Sequence, residues 1–337
     1  MPGTAPDPKI ELHVHLEGTV RADTLRSIAK RNDHALPDDL ESLYRYRDFV
    51  HFLEVFELCA HALRSYDDFR QVVVEYAAEA KEHGAVYFEG IFAPGLWRDL
   101  DTDEVFSGYC DGAQEARELH GVEVRLTPDI PRVYEIEDAL VTARYAVKYR
   151  DRGVVGIGLG GPEAGHPPEP YAEAFALARE GGLASVPHAG EAVGAESVLG
   201  ALDALAADRI RHGIRSVEDS GLVAELADRG TVLDVCPLSN LRTGVVGSLE
   251  EHPLPQLVAA GVRCSISTDD PAMFDTDLTT DYEAAASLGV SPRAAYEAGL
   301  AGALCDDATR ERLRQIGDFH DWTGLEAAPA KPVPPRP

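Results

Sequence analysis

Short apolar runs and mixtures at helical spacing alternate along most of this chain. Eight segments read as strands: KIELHVHL, AVYFEGIFA, VEVRLTPDI, GVVGIGLG, LASVPHAG, DRIRHGI, TVLDVCP and VRCSISTDD. Between them polar and apolar residues mix at helical period, as in SYDDFRQVVVEYAAEAKEHG, EDALVTARYAVKYRDRG and SGLVAELADRG. Several of these stretches end in glycine just before the next strand, where a helix C-cap belongs. Strand–helix alternation implies a parallel sheet, and eight units in roughly 270 residues match the size of a (β/α)8 barrel. A doubly wound dinucleotide-binding sheet is disfavoured, because no G-x-G-x-x-G turn follows the first strand. The expected fold is therefore α/β: a TIM barrel, with residues 1–320 forming one domain. Two parts exceed a minimal barrel. Residues 22–66 carry extra helical material, read as a cap over the barrel mouth. Residues 279–318 read as further helices after the last strand. The tail, residues 321–337, contains EAAPAKPVPPRP, a proline-rich stretch expected to be disordered.

Composition narrows the partners. Acidic residues number 58 and basic ones 31, a formal charge of −27. Such a surface repels phosphate backbones and anionic lipid, so neither nucleic acid nor membrane is expected as a partner. No run approaches the ~18 apolar residues of a membrane span. The N-terminal MPGTAPDPK has no apolar core of a secretory signal. Five scattered cysteines, with no C-x-x-C pair, read as reduced thiols. Together these features predict a cytoplasmic protein.

The candidate chemistry lies at strand ends, which in such barrels gather around one mouth. In KIELHVHL, His13 and His15 occupy alternate positions and so project from one face. The fifth strand ends in PHAGE, with His188 and Glu191. The sixth ends in RIRHG, with His212, and the eighth in STDDP, with Asp269 and Asp270. Each motif has a bland reading by itself: a half-buried strand, a polar turn, a helix N-cap followed by proline. At the ends of strands one, five and eight they converge. Three imidazoles and a carboxylate, His13, His15, His188 and Asp269, form a zinc-type donor set completed by water. That leaves Glu191 as a general acid/base, and His212 and Asp270 to orient water and substrate. The fourth strand, GVVGIGLGGPE, lacks the lysine that bridges paired ions in related barrels, so one Zn2+ per chain is expected.

The set ELHVHLEG, GLGGPE, VPHAGE, RIRHG, LDVCPLSN and STDDPAMF, in that order over residues 10 to about 275, resembles the adenosine deaminase family of the amidohydrolase superfamily. The resemblance implies a one-zinc TIM barrel that removes the 6-amino group of a purine as ammonia. It assigns His13, His15, His188 and Asp269 to zinc and makes Glu191 the proton shuttle to ring N1. His212 positions and polarises the attacking water, Asp270 contacts the water and ring N7, and the Gly161 N–H contacts ring N3. Zinc deaminases of nucleic acid carry an H-x-E and P-C-x-x-C signature instead. Three positions depart from the family pattern: Glu17 where adenosine-specific members have Asp against the ribose 5′-hydroxyl, Pro162 where they have an acid, and Arg211 where they have Gly. These bear on the N9 substituent, not on zinc or proton chemistry. The expected activity is deamination of an adenosine-like purine nucleoside, with Glu17 at the ribose end. Aminodeoxyfutalosine is the alternative substrate, and free adenine a more distant one because GGPE replaces a serine-rich turn.

Overall fold

A computed structural model of the protein describes residues 6–325. Its strands are β1 (Lys9–His15), β2 (Ala85–Phe92), β3 (Glu123–Pro131), β4 (Gly156–Gly160), β5 (Ala184–Ser185), β6 (His188–Ala189), β7 (Arg209–His212), β8 (Val232–Val235) and β9 (Arg263–Ile266). All pair in parallel, in the orders β1-β2-β3-β4-β5 and β6-β7-β8-β9. β5 and β6 are two halves of one staff of the barrel. Pro187 between them has no N–H to give to the ladder, yet its carbonyl accepts from Arg211 N at 3.0 Å. The ring closes where Val14 bridges Asp269, with His15 N donating to Asp269 O (2.7 Å) and Asp269 N to His13 O (3.1 Å). The result is the expected eight-staved (β/α)8 barrel.

Glycine stops its helices as the sequence suggests. The helices Thr102–His120 and Ser220–Arg229 end on Gly121 and Gly230, both left-handed. Between β1 and β2 lie the helices Ala22–Arg31 and Phe49–Ala60. Asp48 caps the second by accepting from His51 N at 2.9 Å. That helix lies over the mouth: Phe56 packs edge-on to His15 and Phe52 against Phe274. After β9 come the helices Leu278–Ser287, Pro292–Gly302 and Asp307–Phe319. The middle one is part of the barrel wall. A Cβ on Gly299 would lie 2.8 Å from that of Ile10 on β1, so only glycine permits this approach.

Of the tail, residues 326–337 lie outside the described residues; Trp322 packs on Tyr296 and donates to Gly317 O. No helix among the described residues is long and apolar enough to cross a membrane. The barrel interior is not wholly apolar. Beneath the mouth, buried Arg209 donates to Asp234 (2.5 Å) and Glu89 (2.6 Å), and buried Arg211 pairs with Asp129. Each charge there has an opposite partner, as burial demands.

Candidate active site

Barrel closure sets the centre of the site. Because β1 pairs with the segment after β9, His13 and His15 meet Asp269, and β6 brings His188 alongside. His188 Nε2 is 3.0 Å from His13 Nε2 and 3.1 Å from His15 Nε2. Asp269 Oδ1 is 3.1 Å from His13 Nε2 and 3.4 Å from His15 Nε2. Burial, foremost, holds the pKa of all three imidazoles well below its usual value, so they are neutral. His188 Nδ1 faces two acceptors, Leu159 O at 3.1 Å and Asp129 Oδ2 at 3.3 Å. His13 Nδ1 faces Asp234 O at 3.4 Å. Each therefore carries its proton on Nδ1 and a lone pair on Nε2. Lone pairs 3.0 Å apart beside a carboxylate oxygen repel unless a cation lies among them. Ligands about 2.0–2.1 Å from one ion stand about 3 Å apart, which is the observed spacing. The donor set fits a divalent metal.

The backbone at this centre is unusual. His212 and Asp269 have φ of +60° and +67°, a region that non-glycine residues seldom occupy and that concentrates at functional sites. Gly18 has a different reason to be glycine: a Cβ there would lie 1.9 Å from Asp270 Oδ1. Asp270 fills that space, buried, with Oδ1 unpartnered. Burial and then the Asp269 charge raise its pKa.

Glu191 follows β6 and is 4% exposed, with Oε1 unpartnered. Its Oε2 lies 3.5 Å from His212 Nε2. Burial, then the Asp269 and Glu163 carboxylates, push its pKa well above the ordinary range, so it holds a proton to higher pH than a free carboxyl. Glu163, also buried, fixes this loop. Its Oε2 accepts from the N–H groups of Glu191 (3.1 Å), Ala192 (2.7 Å) and Val193 (2.8 Å), and its Oε1 from Ser197 Oγ (2.9 Å).

A further layer supports the ligands. Asp129 bridges His188 and Arg211, and Arg211 Nη2 also donates to Thr127 Oγ1 at 2.6 Å. A Cβ on Gly158 would lie 2.0 Å from Asp129 Oδ1 and 2.2 Å from Arg211 Nη1, so this glycine makes room for the pair. Ser239 Oγ donates to Asp269 Oδ2 at 2.6 Å. Asn240 reaches His212 Nδ1 at 3.2 Å.

Above the centre opens a cavity of about 350 Å3, within the size range of small-ligand sites. Its floor includes His15, His188, Glu191, His212, Asp269, Asp270 and Gly161. Its outer wall is apolar, with Phe49, Phe52, Leu53 and Phe56 from the cap helix facing Leu96 and Val133. Glu54, Glu57 and Asp129 also line it, while no Lys or Arg does among the described residues. Gly161 has φ +90°, and Pro162 lies beside it in the lining. Glu17 is placed differently. Its carboxylate is buried behind the wall, accepting from Ala93 N at 2.8 Å, and Ala93 rather than Glu17 lines the cavity. Burial, chiefly, raises its pKa to about 7.

Eight of the nine residues singled out in the sequence thus meet in one cavity or its metal cluster. Sequence reasoning missed Asp129, Glu163, Asn240 and His252. A signal existed for some of them: Asp129 sits within a strand, and Glu163 and Asn240 fall inside GLGGPE and LDVCPLSN. His252 lies outside every motif.

A barrel mouth with three neutral histidines and an aspartate poised for a metal, and a protonatable glutamate beside it, defines a metal-dependent hydrolase. Residues 8–315 match the adenosine deaminase family, and the chain belongs to that family, a hydrolytic deaminase of the amidohydrolase superfamily. It is 52% identical over 328 residues to an aminodeoxyfutalosine deaminase of Acidothermus cellulolyticus, covering 94% of this chain and 92% of that one. It is 38% identical over 312 residues to an adenine deaminase of Rhizobium leguminosarum bv. trifolii, covering 90% and 97%. The crystal structure of an adenine deaminase from Arthrobacter aurescens superposes with a TM-score of 0.88 at 29% identity, covering 93% and 98%. These similarities overturn the expectation of adenosine as the main substrate. Members similar over nearly their whole length carry the other two substrate names, and the motifs that carry the resemblance do not distinguish among the three.

Proposed function

We propose that this chain hydrolyses the 6-amino group of aminodeoxyfutalosine, a 5′-modified 6-aminopurine nucleoside, with one zinc ion per chain. The observation that carries the reading is the 52% identity to an aminodeoxyfutalosine deaminase across nearly all of both chains. The apolar outer wall supports it, since an arm beyond the sugar gains from burial there. Free adenine is the second reading, favoured by the 38% identical adenine deaminase.

His13, His15, His188 and Asp269 hold the zinc, an ion suited to imidazole and carboxylate donors. Bound there, zinc is a Lewis acid that makes water nucleophilic near neutral pH. Glu191 donates its proton to ring N1 as oxygen bonds to C6, so that aromaticity is lost without charge building on the ring. The two protons of the water close the balance: one restores Glu191 and the other passes from the oxygen to N6, so that the C6–N6 bond breaks, ammonia leaves and a 6-oxopurine protonated at N1 remains. Asp270 faces the water and ring N7, and the Gly161 N–H faces ring N3. His212 hydrogen-bonds the attacking oxygen. Glu17 shapes the ribose end through Ala93, whose N–H it holds.

The test is ammonia release from aminodeoxyfutalosine and from adenine under matched conditions. A kcat/KM for aminodeoxyfutalosine well above that for adenine is expected. The reverse order transfers the assignment to adenine.

A further inference from the structure

Behind His212 a buried chain of side chains runs through Asn240 to His252, which lies outside every motif. His212 ends β7 with its Nε2 facing the reaction centre, 3.5 Å from Glu191 Oε2 and 3.7 Å from Asp269 Oδ2. Its other nitrogen, Nδ1, faces Asn240 Nδ2 at 3.2 Å. Asn240 lies on the short helix Pro237–Arg242. Its Oδ1 is 3.1 Å from Nε2 of His252, and Nδ1 of His252 is 3.0 Å from Leu254 N. His212, Asn240 and His252 are all within 1% of complete burial, so water does not compete for these bonds.

The direction of every bond follows from one fixed donor. A backbone N–H can only donate, so His252 Nδ1 accepts from Leu254 and carries no proton. An imidazole has at least one ring proton, so that of His252 is on Nε2. This N–H needs an acceptor, which makes the nearby Asn240 atom the amide oxygen. The amide nitrogen then points at His212 Nδ1 and donates to it. A proton on that Nδ1 would oppose the amide N–H across a buried 3.2 Å contact. His212 is left with its proton on Nε2.

We propose that Asn240 and His252 are positioning residues that lock His212 in the Nε2–H form, so that it serves as a hydrogen-bond donor to the attacking oxygen and not as the base that deprotonates it. The donor arm then points at the oxygen before substrate arrives. Orientation paid for in folding is not paid again in the reaction. The buried network also explains why a second histidine, distant from substrate, stands fully desolvated on the loop before Leu254.

The catalytic consequence rests on the hydrolytic reading above; the tautomer does not, because it belongs to the resting protein. Neutron diffraction from the deuterated, metal-loaded protein reads it directly. Deuterons on Nε2 of both His212 and His252, with none on either Nδ1, are expected. A deuteron on His212 Nδ1 overturns the proposal whatever the substrate. Kinetics give the second arm. Asn240→Asp places an acceptor against His212 Nδ1 and draws a proton there; kcat should fall about 10²–10⁴-fold, as for misdirected catalytic protons elsewhere, with KM and metal content little changed. His252→Phe removes the N–H that orients the amide and should lose kcat in the same way. His252→Gln keeps an N–H in nearly the same place and should recover most of it. Wild-type kcat in both Asn240→Asp and His252→Phe, or no recovery in His252→Gln where His252→Phe is impaired, counts against the lock.

Discussion

Asp129 Oδ2 lies 3.3 Å from His188 Nδ1 while its other oxygen pairs with Arg211. A β3 carboxylate thus stands beside a β6 histidine whose Nδ1 is also 3.1 Å from Leu159 O, and an arginine on β7 neutralises that carboxylate. Outer partners of metal-binding histidines fix the ring and raise its basicity, and their loss typically costs 10–100-fold in metal affinity. Asp129→Asn should therefore release metal to a chelator about 10–100-fold more readily. It also leaves Arg211 buried and unpaired, which costs about 3–5 kcal/mol of stability. Replacing Arg211 by Met as well should restore much of the stability but not the hold on metal. Chelator competition and urea unfolding read the two effects separately; equal metal retention in wild type and Asp129→Asn would falsify the orienting role.

Metal stoichiometry is a direct check on the four-donor cluster. Elemental analysis should find about one zinc per chain, and a His13→Ala, His15→Ala double variant should retain almost none. Two metals per chain, or metal retained in the double variant, would overturn the one-zinc reading.

Glu191→Gln should keep the metal and the folded state, because Glu191 is spare to the cluster and its loop is held by Glu163 through backbone N–H groups. It removes the transferable proton. Turnover should fall by at least ~10²–10⁴-fold. A steady-state assay at matched metal content measures this, and near wild-type turnover would remove Glu191 from the proton path.

The metal cluster was legible in the sequence because its residues sit at strand ends, where barrel topology alone predicts convergence. The groups that support it were not. Arg211 and Asp129 are 82 positions apart, and His252 meets Asn240 across a loop with no periodic signal. Such pairs exist only once the chain has folded, since a buried charge or amide selects its partner by proximity. Glu17 is the one singled-out residue placed elsewhere. The resemblance placed its side chain at the ribose end, while the short 3-10 helix Leu16–Thr19 turns its carboxylate toward Ala93. The cavity's apolar wall escaped for a related reason: Phe49, Phe52, Leu53 and Phe56 have the helical spacing of ordinary core residues.

Glu11 offers a test of the buried interior. It accepts from Thr268 N (3.1 Å) and Thr268 Oγ1 (2.6 Å), next to Asp269, and from the Tyr76 hydroxyl. Burial, chiefly, raises its pKa from 4.5 to about 7. A carboxyl raised in the folded state binds its proton more tightly there. Its contribution is complete below pH 4.5 and is lost as pH climbs to about 7, a change of about 3 kcal/mol. Glu17, also raised to about 7, adds a loss of the same sign in the same window. Glu11→Gln should remove only the first share, so the fall in stability from pH 4.5 to 8 should be visibly smaller than in wild type. Urea unfolding at a series of pH values measures it, and an unchanged pH profile would show that Glu11 stays ionised in the fold.

The outer wall of the cavity should decide among arms on N9. It offers Phe49, Phe52, Leu53 and Val133 to the arm, with Glu54 and Glu57 nearby and no Lys or Arg among the described lining residues. A 5′-phosphate there would meet the negative field of these exposed carboxylates with no cation among the described lining residues to pair it, which disfavours it. A neutral apolar arm instead buries surface at roughly 25 cal/mol per Å2. The chain should therefore act poorly on adenosine 5′-monophosphate compared with a nucleoside whose 5′ arm is neutral and apolar. Leu53→Asp adds a charge to the wall without touching the metal cluster. It should raise KM for the 5′-modified substrate by about tenfold or more, the scale of one buried side chain's worth of apolar contact. Free adenine has no arm to feel the change, so its KM should stay nearly constant. The ratio of kcat/KM between the two substrates, measured in wild type and in Leu53→Asp, is the readout. If both substrates weaken equally, the wall does not read the arm, and the distinction between the two proposed substrates lies at the purine end.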